Sequence, residues 1–242
     1  MRIIHIPDGY LGPKTYVAMF LIMIPIWLYA GYKVNKEMKS RQVPLLALSA
    51  AFSFVIMMFN VPIPGGSTGH AVGGAIIGII LGPWAAIVAI SVSLVMQAFL
   101  FGDGGITCIG ANCFNMAVVI PVSAYVIYRL VSSKSDLKSL RRLAAAVIAG
   151  YLSLSLAAGV AGFEMGIQPI LEHDANGTPL YMPYGLNITM PAMLGEHLLF
   201  FGFVEALVTG LIFVYLQRNR ISLISDNRLI AKLKAAKPTA LE

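Results

Sequence analysis

Two histidines, His5 and His70, are the side chains in this sequence best suited to bind a metal ion. Each lies among turn-forming residues directly before an apolar run, His5 in HIPDGYL and His70 after the Pro- and Gly-rich stretch 60–69. Imidazole pairs suit Zn, Cu, Ni or Co rather than Mg or Ca. The pair therefore predicts a transition-metal site, with hydrogen-bonded or solvated histidines of no special function as the alternative.

The segment that follows His70 is too short to cross a membrane as a helix. His70–Leu81 has twelve residues, about 18 Å of helix, whereas a bilayer core needs about twenty residues. Ser67 and Thr68 are good N-cap candidates, which would place His70 in the first helical turn, where the helix dipole favours the neutral imidazole that binds metal. The residues expected to support the two histidines are Asp8, Asn60, Ser67 and Thr68.

Other polar residues are assigned simpler roles. Glu205 lies inside an apolar run and is expected to make a structural hydrogen bond between helices, with ion contact as the alternative. Glu196 and His197 are expected at a solvated membrane interface, and His173 in a solvated loop. Cys108 and Cys113 are expected to pack as small apolar groups, with one disulfide or two free thiols both possible. Three asparagines are candidates for buried amides: Asn60, Asn112 and Asn115.

Composition indicates a membrane protein. Of 242 residues, 58% are hydrophobic and only 12% charged, with a mean hydropathy of +0.80, whereas soluble domains carry about a quarter charged residues. The net charge of +6 is explained by loop placement and does not indicate nucleic-acid binding. The chain is predicted to be one polytopic membrane domain, 1–242, with a metal-binding segment 1–15, a Pro/Gly loop 61–70 that carries His70, and a basic tail 217–242.

The predicted fold is all-α, with about seven transmembrane helices and a short or broken third helix. The segments are Tyr16–Tyr32, Pro44–Phe59, His70–Leu81, Trp84–Phe101, Ala111–Leu130, Leu143–Phe163 and Met190–Leu216, and a polar loop 164–187 precedes the last. Seven spans place all of the 17 lysines and arginines except Arg2 and Lys14 on one side. The positive-inside rule makes that side cytoplasmic, so the N-terminus is predicted outside and the C-terminus inside.

Four stretches of the sequence resemble those of a known family of membrane proteins. HIPDGYL, GSTGHAVGGAIIGIILGPWAA, QAFLFGDGGITCIGANCFNMAVV and HLLFFGFVEALVTG are similar to the CbiM/NikM family, the substrate-binding membrane subunits of energy-coupling-factor (ECF-type) nickel/cobalt transporters. The resemblance implies Ni(II) or Co(II) as substrate, no cofactor, and a multi-pass location in a bacterial or archaeal cell membrane. It also implies a CbiQ/NikQ-like coupling subunit, a cytoplasmic CbiO/NikO-like ATPase and often a small CbiN/NikN-like membrane protein as partners.

The resemblance also implies a planar nitrogen site. In the family it comprises the N-terminal amine, a backbone amide, a near-terminal histidine and a second histidine, and the histidines correspond to His5 and His70. The family histidine directly follows the initiator Met, whereas Met1-Arg2-Ile3-Ile4 precede His5 here. Three accounts stay open: trimming that makes His5 the first residue, ligation by internal amides or Asp8, or an altered site or start.

The function expected is therefore capture of Ni(II) or Co(II) on the outer face for an importer powered by a separate ATPase, not catalysis. The sequence has neither a phosphate-binding loop nor a His-Glu-x-x-His motif, and the seventh span lacks the lysine of a retinal protein. The alternatives are a metal-binding membrane receptor and an intramembrane metalloenzyme, neither of which would transport metal.

Overall fold

The computed structural model describes residues 5–63 and 67–219, apart from the side chains of residues 41, 63 and 67. Besides one 3-10 turn at Ser40–Gln42, the helices of this part are α1 (Pro13–Glu37), α2 (Val43–Met58), α3 (Gly74–Leu81), α4 (Pro83–Phe101), α5 (Ile109–Val131), α6 (Leu140–Gly166), α7 (Gln168–Leu171) and α8 (Leu186–Asn219). An antiparallel hairpin of β1 (Val61–Ile63) and β2 (Ser67–Gly69) joins α2 to α3.

Each of the seven apolar segments expected from the sequence contains a helix. Five of these helices are long and apolar enough to cross a membrane, namely α1, α4, α5, α6 continued by α7, and α8. Helix α2 has 16 residues and α3 only eight, so the expectation of a short third helix is confirmed. The protein is thus a membrane helical protein, while seven spans and their orientation remain predictions.

Proline and glycine set the helix boundaries where the sequence places them. Helices α1 and α4 each have a proline in the first turn, where its missing N–H costs no hydrogen bond. Gly82 separates α3 from α4 with φ +80, and Gly102 ends α4 with φ +61. Both are left-handed conformations that glycine adopts readily, so Gly82-Pro83 is confirmed as a break.

Small residues let the helices approach one another closely. A Cβ on Gly78 of α3 would lie 2.6 Å from the carbonyl oxygen of Pro121 in α5, and one on Gly162 of α6 would lie 3.1 Å from Met193 in α8. Such contacts are typical of helix association in lipid, where packing rather than hydrophobic exclusion drives assembly. Helix α3 is accordingly buried along most of its length, at the centre of the bundle.

Two helices contain π-helical turns that the sequence did not predict. In α5 the π segment is Cys113–Val119, and in α8 it is His197–Phe201. A π turn inserts one residue into the helix and rotates the side chains that follow, and such turns are frequent at functional sites. Both turns contribute side chains to one small internal cavity.

Three expectations about local structure need correction. Ser67 and Thr68 do not cap α3, because they belong to β2, and α3 begins only at Gly74 with Gly73 as N-cap. The predicted loop 164–187 begins later, because α6 runs to Gly166. The predicted tail 217–242 is helical as far as Asn219, and its remainder, like residues 1–4 of the N-terminal segment and 64–66 of the Pro/Gly loop, lies outside the described residues.

Candidate metal-binding site

The segment that carries His5 is fixed to the start of α5. The N–H of Ile6 donates to Oδ1 of Asn112 at 2.8 Å, and Nδ2 of Asn112 donates to the carbonyl of Ile6 at 3.0 Å. The N–H of Gly105 donates to the same carbonyl at 3.0 Å. One buried amide therefore satisfies both backbone groups of Ile6, and the prediction of a buried amide at Asn112 is confirmed.

Asp8 fastens the segment to the loop before α5. Its carboxylate accepts the N–H groups of Ile106 at 3.1 Å and Thr107 at 2.9 Å, together with the Thr107 hydroxyl. Burial by itself raises the pKa of Asp8, but the hydrogen bonds from Thr107 and Ile106 outweigh it and hold the pKa below its ordinary value. Both carboxylate oxygens are engaged, so Asp8 positions the segment.

Further contacts extend this attachment to α1. The N–H of Gly12 donates to Oε1 of Gln168 at 2.9 Å, and the N–H of Met182 donates to the carbonyl of Tyr10 at 3.3 Å. The Cys108 thiol donates to the carbonyl of Pro7 at 3.4 Å. The described part of the segment is thus held from both sides, and His5 is buried to 2% exposure.

The backbone after His70 is held by two side chains from the bundle. Oε2 of Glu205 accepts the N–H groups of Val72 at 2.8 Å and Gly73 at 3.0 Å, and Oε1 accepts that of Ala75 at 3.2 Å. The Ser53 hydroxyl donates to the carbonyl of Val72 at 2.9 Å. The prediction of a structural hydrogen bond for Glu205 is confirmed: a carboxylate from α8 satisfies the free N–H groups at the start of α3.

These two supports bring His5 and His70 together. Their ring centroids are 5.0 Å apart and their planes are inclined by 81°, and both side chains are buried. Nδ1 of His5 lies 3.4 Å from Oδ1 of Asp103, which is also buried. Residues 65 positions apart in the chain thus form one buried pair beside a carboxylate.

The imidazole of His70 is held in its neutral form. Burial lowers its pKa to about 3, and neighbouring His5 adds to the shift. Nδ1 of His70 lies 3.0 Å from the carbonyl of Ala71, which can only accept, so Nδ1 carries the proton and Nε2 carries the lone pair. This is the form that binds metal, although it results from burial and not from a helix dipole.

His5 has no hydrogen-bond partner for either ring nitrogen among the described residues. Buried polar atoms nearly always have a partner, so a metal ion or an ordered water fits this position. Within 5–63 and 67–219, however, no group of three or more His, Cys, Asp and Glu side chains is arranged to hold a metal. The two imidazoles therefore supply only part of a coordination shell.

The remaining residues predicted around the site contribute less directly. Asn60 and Thr68 are half-buried at the base of the hairpin, and in the described ranges neither is hydrogen-bonded to His5 or His70. The side chain of Ser67 lies outside the described residues. Both cysteines are buried, as expected, and they are free thiols rather than a disulfide. Burial raises the pKa of Cys108 to about 11, which keeps it a thiol at neutral pH.

Two residues lie where the sequence did not predict them. His197 is 1% exposed, so the expectation of a solvated interface is wrong, because helix α8 begins at Leu186 and carries His197 into the bundle. Glu164 is in α6, 5% exposed, and its Oε2 accepts Nδ2 of Asn115 at 2.7 Å. The apolar residues that flank both positions in the sequence were the signal that could have predicted their burial. His173 is exposed as expected.

Comparison with known proteins agrees with this architecture. The chain is 49% identical over 224 residues to the fused nickel transport protein NikMN of Rhodobacter capsulatus, covering 93% of this chain and 65% of the relative. It is 50% identical to the probable fused nickel transport protein LarMN of Lactiplantibacillus plantarum, covering 88% and 64%. The chain thus spans slightly less than two thirds of these two relatives.

Other relatives are covered almost completely. A putative metal transport protein of Methanocaldococcus jannaschii is 46% identical, with 92% of this chain and 95% of the relative aligned. The crystal structure of a transition metal transporter superimposes with a TM-score of 0.83 at 48% identity, covering 93% of this chain and 99% of the other, and a truncated transition metal transporter gives 0.82. The CbiM family, described as the cobalt uptake substrate-specific transmembrane region, matches residues 5–223, and the chain therefore belongs to this family.

Proposed function

We propose that this chain captures Ni(II) or Co(II) on the outer face of the membrane as the substrate-binding subunit of an ATP-driven ECF-type importer. The buried pair of His5 and His70 carries this proposal, with Nε2 of His5 making no hydrogen bond to a described residue and Nδ1 facing the Asp103 carboxylate. Relatives named as nickel or metal transport proteins support the choice of substrate.

The donor chemistry fits late first-row divalent ions. Neutral imidazole nitrogens suit Ni(II) and Co(II), and Ni(II) in particular accepts planar nitrogen sites. In the tautomer that Ala71 selects, His70 offers Nε2. The remaining donors are proposed to come from backbone or terminal nitrogens near His5, since both oxygens of Asp8 are engaged by Ile106 and Thr107.

Transport needs energy from elsewhere, because the sequence has no phosphate-binding loop. The proposed partners are a CbiQ/NikQ-like coupling subunit, a CbiO/NikO-like ATPase and a small CbiN/NikN-like membrane protein. Release of the ion would require the His5 segment or the hairpin to move. The attachments through Asn112 and Asp8 are the contacts that such a movement must break.

The test is metal content together with intact mass. The purified chain should bind close to one Ni(II) or Co(II), and His5→Ala and His70→Ala should each weaken binding by at least about tenfold, since a ligand is lost. His173→Ala is the matched control, because His173 is an exposed histidine. Intact mass shows whether His5 leads the mature chain.

Uptake by cells that express the chain with its partners separates transport from binding alone. Uptake that depends on the ATPase and on His70 supports the proposal. Stoichiometric binding without uptake would instead make the chain a metal receptor. A wild-type chain that binds neither ion would remove the proposed substrate.

A further inference from the structure

A small cavity lies inside the bundle, and neither His5 nor His70 lines it. The π turn of α5 contributes Asn115 and Met116 to its wall, the π turn of α8 contributes His197, and Met193 lies one turn before it. The other lining residues are apolar: Leu154, Ala157, Ala158 and Ala161 of α6. Two irregular helix turns therefore place polar side chains in an otherwise apolar enclosure.

The polar atoms around this cavity are acceptors without partners. His197 Nδ1 lies 2.7 Å from the carbonyl of Met193, so Nδ1 is the donor and Nε2 keeps its lone pair. Asn115 uses Nδ2 to donate to Glu164 at 2.7 Å. Nε2 of His197, Oδ1 of Asn115 and Oε1 of Glu164 have no hydrogen-bond partner in the described part of the chain.

Two unpaired lone-pair atoms in the cavity wall, Nε2 of His197 and Oδ1 of Asn115, call for a cation or a hydrogen-bond donor. Each of these side chains is at least 95% buried, and leaving such atoms unpaired costs about 1–3 kcal/mol each. The wall comprises an imidazole nitrogen, an amide oxygen and the thioethers of Met116 and Met193. The carboxyl group of Glu164 is hydrogen-bonded to Asn115 from outside the wall. Imidazole and sulfur select late first-row metals over Mg or Ca.

The cavity is close to the outer pair. A Cβ on Gly69 would lie 2.6 Å from the Phe201 ring, and Gly69 directly precedes His70. The same Phe201 ring has its centroid 5.4 Å from that of His197. Phe201 therefore contacts both the hairpin that carries His70 and the histidine of the cavity.

We infer that the cavity at His197 is a second, inner site through which the divalent metal passes after it leaves His5 and His70. His197 is its nitrogen ligand, Asn115 supplies an oxygen ligand, and Glu164 holds the Asn115 amide in place. The inference rests on the proposed function and adds a residue and a step to it. Movement of Phe201 would open the way between the two sites.

Replacing the ligand by a thiol tests the site spectroscopically. The full-length chain carrying His197→Cys, titrated with Co(II), should show a thiolate-to-cobalt charge-transfer absorption that the wild type lacks, since its two cysteines are buried and free. Thr209→Cys is the matched control, because Thr209 is also fully buried in α8 with an unpartnered hydroxyl. The control should show no such band.

Uptake separates a transit ligand from a structural side chain. His197→Leu in the complete transporter should lower the rate of Co(II) uptake by about tenfold or more, while Co(II) affinity at the outer pair is unchanged, which also shows that the variant folds. Thr209→Val should match the wild type in both assays. Asn115→Leu should lower uptake in the same direction as His197→Leu.

The outcomes are distinguishable. If the wild type neither binds nor takes up metal, the proposed function fails. If the wild type does both, and His197→Cys gives no charge-transfer band while His197→Leu takes up Co(II) at the wild-type rate, the inner site is refuted alone and the cavity holds water only. Equal loss of outer affinity and uptake in His197→Leu would also refute it.

Discussion

Glu205 links the packing of the bundle to the position of a proposed ligand. Its carboxylate accepts three backbone N–H groups, from Val72, Gly73 and Ala75. His70 lies only two residues before the first of these, so the conformation of the histidine depends on a side chain 135 positions further along the chain. Such a buried acceptor is a positioning group, although it touches no metal.

Glu205→Gln should weaken both folding and metal binding. The glutamine amide group replaces one acceptor oxygen and faces backbone N–H donors, which costs about 1–3 kcal/mol for each hydrogen bond lost. We expect a lower unfolding temperature in detergent and weaker Ni(II) binding. Thr209→Val, in the same helix, should lower neither, because it removes a buried hydroxyl that has no hydrogen-bond partner in the described part of the chain. An unchanged Ni(II) affinity in Glu205→Gln would show that the start of α3 does not position His70.

The low pKa of His70 makes the stability of the metal-free protein depend on pH. The folded-state pKa is about 3 and the ordinary value 6.5, so below pH 6.5 the unfolded chain binds a proton that the folded chain does not. The contribution of His70 to the free energy of unfolding is therefore fully present above pH 6.5. It is lost as the pH drops toward 3, by up to about 1.4 kcal/mol per pH unit.

Thermal unfolding of the metal-free chain between pH 7.5 and about 4 checks this. The unfolding temperature should fall as pH falls, and His70→Asn should show a shallower decline, because asparagine does not titrate. His173→Ala should behave like the wild type, since the imidazole of His173 is exposed. Parallel curves for wild type and His70→Asn would mean that His70 is not held neutral.

At the scale of helices, the apolar runs and the Gly82-Pro83 break were sufficient to predict the elements. They were not sufficient for the hairpin or the π turns, because both depend on partners distant in sequence. Judged by its sequence neighbours, Ser67 is a typical helix N-cap. In the structure it lies in β2, which pairs with β1, and α3 begins only at Gly74. The sequence predicts His197 at the membrane interface. The π turn and the start of α8 at Leu186 instead place it inside the helix bundle.

The pairing of His5 with His70 was predictable only as a hypothesis from residue type and a shared face. The contacts that hold His5 in place come from Asn112, Asp8 and Gly105, and no local pattern connects those positions. Glu164 shows the same limit, since an apparent loop residue proved to be the partner of Asn115. Side-chain networks across the bundle depend on helix rotation, which periodicity gives only approximately.

The close contact of α3 with α5 gives a prediction about packing. Gly78→Ala places a methyl group 2.6 Å from the carbonyl oxygen of Pro121, and such overpacking costs about 1–3 kcal/mol. Gly31→Ala in α1 is the control, because a Cβ there meets nothing within 4 Å. Unfolding temperatures in detergent should fall for Gly78→Ala and stay level or rise for Gly31→Ala; equal shifts would contradict the close contact.

Across the whole molecule, the segments predicted on the outer side meet at one end. Lys14 at the start of α1 donates to the carbonyl of Leu171 at 2.6 Å, and the His5 segment contacts the loop before α5. At the other end, Gln217 of α8 donates to the carbonyl of Leu137 at 2.9 Å, in a basic loop. The proposed metal site thus lies at the end opposite to that basic loop.

The predicted orientation can be tested with single cysteines and a membrane-impermeant thiol reagent. Asn176→Cys lies in the exposed loop between α7 and α8, and Lys138→Cys in the basic loop between α5 and α6. Positive charge is retained on the cytoplasmic side, so intact cells should label the first variant, and the second only after permeabilisation. The native cysteines are buried and should give little background. The reverse pattern would invert the topology and place His5 and His70 at the cytoplasmic face, where they could not capture metal from outside.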